Sequence, residues 1–126
     1  MTTHDATASL SNYRQSPRKV RLVADLVRGK SAERALALLS QLPKRASEPM
    51  QKLISSALAN AISSKGIPAA DLVISKIEVN GGIVFKRSMP RARGRASAIK
   101  KRTSHITLAL SRKAAPKVKA AAAPKE

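Results

Sequence analysis

The sequence has 126 residues and no cysteine, which excludes a disulfide framework, a thiolate metal site and a thiol nucleophile. It has no tryptophan and only two aromatic rings, Tyr13 and Phe85. That is too few for the RNA- and single-strand-binding folds that stack successive bases on several exposed rings. The longest aliphatic stretch, Ala35 to Leu39, falls far short of a membrane span. The opening MTTHDATASL carries neither the basic nor the apolar region of a signal peptide, so a cytoplasmic chain is expected. Acidic residues are also scarce: 7 Asp plus Glu stand against 25 Lys plus Arg, giving a formal charge of +18 and a pI near 11.6. A chain so charged repels itself until an anionic partner neutralises it. Hydrophobic residues make up 43%, but 22 of them are alanine. The expected core is therefore small.

The few acids are unevenly placed. Apart from Glu126, they are Asp5, Asp25, Glu33, Glu48, Asp71 and Glu78, and none occurs from Val79 to Lys125. That same stretch holds thirteen Lys or Arg, most densely between Lys86 and Arg102. Like-charge runs are usually solvated tails, but this one lies between two segments with the pattern of strands.

Local pattern predicts an α+β fold: three helices packed on a small three-stranded antiparallel sheet, with a long protruding β-hairpin. Residues 1 to 8 are expected to form a flexible end and Ala8 to Arg14 a short extended segment. Ser16 and Pro17 read as an N-cap followed by proline at the first helical position. Val20, Val23, Ala24 and Val27 then form one apolar stripe, and Gly29 ends the helix. A second helix is expected from Ser31 to before Pro43, with Ala32, Ala35, Leu36 and Leu39 inward. A third, about residues 47 to 64, turns Met50, Leu53, Ile54, Ala57, Leu58, Ala61 and Ile62 to the core, with Pro49 in its first turn and Gly66 after its end. From Leu72 to Val79 the period becomes two, with Val73, Ile77 and Val79 on the inner face. Ile106, Leu108 and Leu110 alternate in the same way within a strand over Thr103 to Leu110. Residues 112 to 126, RKAAPKVKAAAAPKE, read as a disordered basic Ala/Lys/Pro tail. Residues 9 to 111 make a single domain.

Between the two strands lie residues 80 to 102, far more than the ~2–5 residues of a hairpin loop. Both strands are therefore expected to continue beyond the core as an arm roughly 35 Å long. Gly81-Gly82 would let it bend or bulge at the exit, and Met89-Pro90-Arg91 lie near the tip. A bare two-stranded ribbon is marginal in water, so this arm is expected to gain order within an anionic surround.

These segments resemble a known family. Ser16 to Lys30 (SPRKVRLVADLVRGK), Ser56 to Ala61 (SALANA), Lys86 to Ala96 (KRSMPRARGRA) and Lys101 to Ile106 (KRTSHI) resemble, in order, segments of the bacterial L-twenty-two family of large-subunit ribosomal proteins. The resemblance covers about residues 8 to 111 and stops at the tail. It implies helices on a small antiparallel sheet with a long hairpin. It also implies binding to large-subunit (23S-type) rRNA early in assembly, contact with other large-subunit ribosomal proteins, and a hairpin tip in the wall of the nascent-peptide exit tunnel. The tip would be Lys86, Arg87, Ser88, Met89, Pro90, Arg91, Ala92 and Arg93, with the nascent polypeptide as a further partner.

The candidate rRNA-binding residues are Arg18, Lys19, Arg21, Lys86, Arg87, Arg91, Arg93, Arg95, Lys100, Lys101 and Arg102. Arginine offers a planar fork to phosphate oxygens and lysine a flexible point charge. A solvated loop is the plain alternative for the arm, and a solvated face, shared with Arg28, for the first helix. Phe85 either stacks on a base or packs at the arm root. Nothing points to catalysis: His4 and His105 are far apart, the carboxylates are scattered, and Gly81-Gly82 opens no phosphate loop. No cofactor, metal or small-molecule substrate is expected, and the reading is of a protein that is not an enzyme. A histone-like nucleoid DNA-binding protein, which also uses a basic ribbon, is the alternative. A membrane-active helix is disfavoured, because the strongest apolar stripe is flanked by Ser and Ala rather than Lys.

Overall fold

The computed structural model describes residues 4 to 112; the basic Ala/Lys/Pro tail expected beyond that point lies outside the described residues. The chain runs β1 (Ala6–Tyr13), α1 (Pro17–Val27), α2 (Ala32–Gln41), α3 (Ser47–Lys65), β2 (Leu72–Pro90) and β3 (Ala96–Arg112). The strands form one antiparallel sheet in the order β1-β3-β2. The central position of β3 explains why its run of Ile106, Leu108, Ala109 and Leu110 is buried throughout. Helix α1 packs on β2 and β3, α3 packs on β1 and β3, and α2 lies against α3. Leu39, Met50, Ile54, Leu72, Ile74, Ile106, Leu108 and Leu110 are the largest side chains of the core between them.

Local chemistry sets the helix ends. The hydroxyl of Ser31 caps α2 by accepting from the Arg34 backbone N–H at 3.3 Å. Pro17 opens α1 behind Ser16, which makes no side-chain cap bond. Gly66 closes α3 in the left-handed conformation (φ 65°), where a Cβ is disfavoured.

Three local expectations require correction. First, β1 begins at Ala6 rather than Ala8. The Asp5 N–H donates to Leu110 O at 2.8 Å, and its carboxylate accepts from the Arg112 N–H at 2.6 Å, so the segment expected to fray is tied to β3 from Asp5. Second, the inner face of β2 is not the simple alternation expected. Ile74 pairs with Leu110 and Lys76 with Ala109, a bulge at Ser75 that flips the pattern. Leu72 and Ile74 are therefore buried before the bulge and Ile77 and Val79 after it, while Val73 is only half-buried. Third, Ile62 is 51% exposed, although it shares the apolar stripe of α3. Successive steps of four residues rotate about 40° around a helix. The row Ile54, Leu58, Ile62 accordingly climbs out of the interface, from 0% to 9% to 51% exposure.

The arm is an extension of β2 and β3. The β2 register shifts between Gly81 and Val84, the bulge foreseen at Gly81-Gly82. Beyond it the pairing is unbroken from Val84↔Arg102 to Pro90↔Ala96, roughly 23 Å of ribbon at ~3.3 Å per residue. Arg91 to Arg95 close the tip: Arg91 N–H donates to Arg95 O at 2.7 Å, with Arg93 and Gly94 at positive φ (60° and 74°).

Candidate nucleic-acid interface

A strand at the sheet edge leaves a row of carbonyls and N–H groups that must find partners. Edge strand β2 finds them in and after α1. Arg21 donates from Nε and Nη2 to Val79 O at 3.2 and 2.9 Å, and Arg28 donates from Nη2 to Ile77 O at 3.0 Å. The Ile74 N–H reaches Lys30 O at 2.9 Å. Arg28 also pairs with Asp25. Of the basic face expected on α1, Arg21 and Arg28 therefore hold the helix to the sheet. Arg18 and Lys19 remain exposed at its first turn, beside a concavity of ≈630 Å³ that reaches across to Gly81 and Arg102.

The arm carries Lys86, Arg87, Ser88, Met89 and Pro90 on β2, Arg91, Ala92, Arg93 and Arg95 around the tip, and Lys100, Lys101 and Arg102 on β3. Every one of them is exposed. Lys86 pairs directly with Lys100 across the ladder, and like charges placed opposite one another weaken a sheet. Arg91 Nε donates to Ser97 Oγ at 2.9 Å, which braces the tip. The other guanidinium groups of the tip, on Arg93 and Arg95, bond to no acceptor among the described residues.

Phe85 packs at the arm root. The Arg14 guanidinium lies over its ring, 4.3 Å from the centroid, and that of Arg87 lies at 5.9 Å. Both are within the reach of cation–π attraction. His105 is likewise structural, since its Nδ1 accepts from the Asn12 backbone N–H at 3.1 Å.

The family model for ribosomal protein L22p/L17e matches residues 8–111. The large ribosomal subunit protein uL22 of Mesoplasma florum is 50% identical over 107 residues, covering 85% of this chain and 96% of that protein. Its counterpart in Herpetosiphon aurantiacus is 52% identical over 103 residues, covering 82% and 91%. The uL22c protein of Acorus calamus is 50% identical over 106 residues, covering 84% of each. The chain belongs to the L22p/L17e family of ribosomal proteins. As a member of this family it is a structural protein, not an enzyme. Among the described residues no helix is long and apolar enough to cross a membrane, and no group of His, Asp or Glu is placed to hold a metal ion.

In this ribosomal protein, two basic residues join the exposed set without having been singled out by sequence. Arg14 follows β1 and Arg45 lies between α2 and α3. The fold brings both to one concavity with Lys19, Lys100, Lys101 and Arg102. Each stands outside the dense basic stretch, so charge clustering along the chain does not mark it. The only hint is that both occupy short linkers next to helix starts.

Proposed function

We propose that this chain serves as a structural constituent of the large ribosomal subunit, bound to 23S-type rRNA through its arm and the first turn of α1. The observation that carries the proposal is the arm itself. Its ladder sets Lys86 against Lys100, and no carboxylate occurs from Val79 to Arg112. An isolated ribbon is weakened by that arrangement, whereas close-set RNA phosphates stabilise it. RNA helices are recognised chiefly by backbone and shape, which fits exposed Arg and Lys with few aromatic rings. Lys86, Arg87, Arg91, Arg93, Arg95, Lys100, Lys101, Arg102, Arg18 and Lys19 are the contact residues. Arg21 contributes indirectly, by fixing α1 on β2.

The family resemblance adds a place and a role. The tip, Lys86 to Arg93, lines the nascent-peptide exit tunnel and meets the nascent polypeptide there. The body binds the rRNA early in subunit assembly beside other large-subunit proteins, and the protein is cytoplasmic and ribosome-bound. A ribbon of this length supports the reading, because a tip so far from the body can pass through packed RNA to a distant lumen.

The test is binding of the full chain to protein-free large-subunit rRNA across a salt series, with duplex DNA as competitor. If about eight phosphates are neutralised, affinity should fall by roughly four decades between ~50 and ~200 mM salt, with a preference for the rRNA persisting at the upper end. A salt slope near zero would overturn the electrostatic account. Equal affinity for duplex DNA throughout would favour the histone-like nucleoid alternative.

A further inference from the structure

We propose that the concavity at the arm root is a seat for a sharply turned RNA backbone, with Arg14 and Arg45 holding phosphates that the turn brings together. The proposal rests on the RNA-binding role above and names the RNA geometry that this part of the surface takes.

The concavity measures ≈530 Å³ and is built from four separate parts of the chain. Arg14 comes from the β1–α1 linker, Lys19 from α1, Arg45 from the α2–α3 linker, and Lys100, Lys101 and Arg102 from β3. Six cations therefore converge, and the lining holds no carboxylate. Their side chains donate to no protein acceptor and form no ion pair among the described residues, unlike Arg21, Arg28, Arg91, Lys65 and Lys76. The donors of this cluster are thus free for a ligand, and their mutual repulsion calls for an anion.

Arg14 is also aimed. Its guanidinium carbon sits over the Phe85 ring, 4.3 Å from the centroid, so the ring helps fix where the fork that bonds phosphate oxygens is held. Phe85 is thereby a positioning residue.

Shape selects the ligand. A volume of this size suits one compact group, within the ~300–1,000 Å³ of ordinary ligand sites. A continuous RNA duplex is a convex cylinder with its phosphates spread over the outside, and it rests on the rim of such a seat. A backbone that reverses direction places phosphates side by side on a narrow salient, where they repel one another unless cations surround them. The seat is also continuous with the arm through Lys100 to Arg102, so an RNA strand following the arm reaches it.

The experiment uses the full chain and two RNA duplexes of equal length, one continuous and one interrupted by an unpaired bulge that turns the backbone, with protein-free large-subunit rRNA alongside. Wild type should prefer the bulged duplex. The double variant Arg14→Gln/Arg45→Gln should lose that preference, with the log–log salt slope on the bulged RNA smaller by about 2 and the slope on the continuous duplex unchanged. The control Lys86→Gln/Arg95→Gln removes the same charge from the arm and should weaken both duplexes alike. Phe85→Leu changes no charge and should reduce the preference in the same direction; an unchanged preference would overturn its positioning role. Thermal melts monitor folding. If the first double variant melts early, Arg45→Lys, which keeps the charge and loses the fork, is read instead and should also reduce the preference. No bulge preference in wild type, or an equal loss on both duplexes from Arg14→Gln/Arg45→Gln, would overturn the seat and leave general RNA binding intact. Failure of wild type to bind rRNA in a salt-dependent way would overturn the RNA-binding role, and the seat with it.

Discussion

Gly82 shows how one residue sets the root of the arm. A Cβ at this position would lie 2.6 Å from Thr103 Oγ1 and 3.0 Å from His105 Cε1. Thr103 is buried, and its hydroxyl donates to Ile83 O at 2.7 Å, so it has little room to retreat. Gly82→Ala should therefore cost about 1–3 kcal/mol, the usual range for overpacking, read by chemical denaturation of the free protein. A stability equal to wild type would show that the strand relaxes at no cost. At the other end of the sheet, the backbone N–H of Arg112 is the chief reason that the Asp5 carboxyl titrates below its ordinary value. Desolvation opposes the shift, and the Lys65 ammonium at 3.4 Å adds to it. A carboxyl with a lowered folded pKa contributes stability above its unfolded value, about 3.9 for Asp, and that contribution disappears as pH falls through the folded value. Wild type should thus lose stability on acidification below about pH 4. Asp5→Asn should lack this part of the loss, so the two proteins converge at low pH in denaturation curves recorded across the range.

At the scale of elements, the helices and the arm depend on different physics. The buried face of α3 is what joins it to β1 and β3. Ile54, fully buried there, should cost about 2–5 kcal/mol when changed to Ala, as buried large-to-small substitutions do; a loss under 1 kcal/mol would count against its central place in the core. The arm beyond Phe85 contributes exposed residues in place of core. Replacing Arg87 to Ile99 by an Asn-Gly turn between the paired Lys86 and Lys100 uses a favoured two-residue hairpin connection. The shortened protein should melt at or above the temperature of the full chain, since the body's packing is untouched and four arginines are removed. A collapse of the melt would show that the arm stabilises the body. Ribosomes assembled with this variant should show altered nascent-chain stalling with peptidyl-transfer rates unchanged, if the tip lines the tunnel as proposed.

The whole molecule is governed by its charge of +18. Only four ion pairs occur among the described residues, three of them between partners about half exposed or more and the fourth, Lys65–Asp5, with its ammonium about half exposed, and exposed pairs are individually weak. Self-repulsion therefore dominates at long range. Added salt shortens the Debye length from ~30 Å at ~0.01 M to ~8 Å at ~0.15 M, so the melting temperature of the free protein should rise over that interval. A melting temperature that stayed flat or fell would show that the repulsion is already offset within the fold. The same salt weakens RNA binding, and the opposite signs of the two responses separate folding from association.

Much of this was legible in the sequence because it depends on neighbours along the chain. The stripe Val20, Val23, Ala24, Val27 needs only the helical period. Ser31 caps α2 through a residue three positions away, and the absence of acids from Val79 to Lys125 makes the arm strongly basic. The motif Lys86 to Ala96 likewise carries the resemblance to the ribosomal family to which the chain belongs. What the tertiary structure decided concerns residues that meet across the sheet. The bulge at Ser75, which exchanges the inward places of Val73 and Ile74, is a matter of register with β3. The duties of Arg21 and Arg28 follow from β2 being an edge strand, which no local pattern states. Arg14 and Arg45 come together with Lys100 to Arg102 only because β1 and β2 flank β3 and the α2–α3 linker returns to the arm root. Periodicity and composition record what a residue prefers beside its neighbours in sequence. Which carbonyl, ring or cation it meets is decided by strand order and register, and those are properties of the whole packed chain.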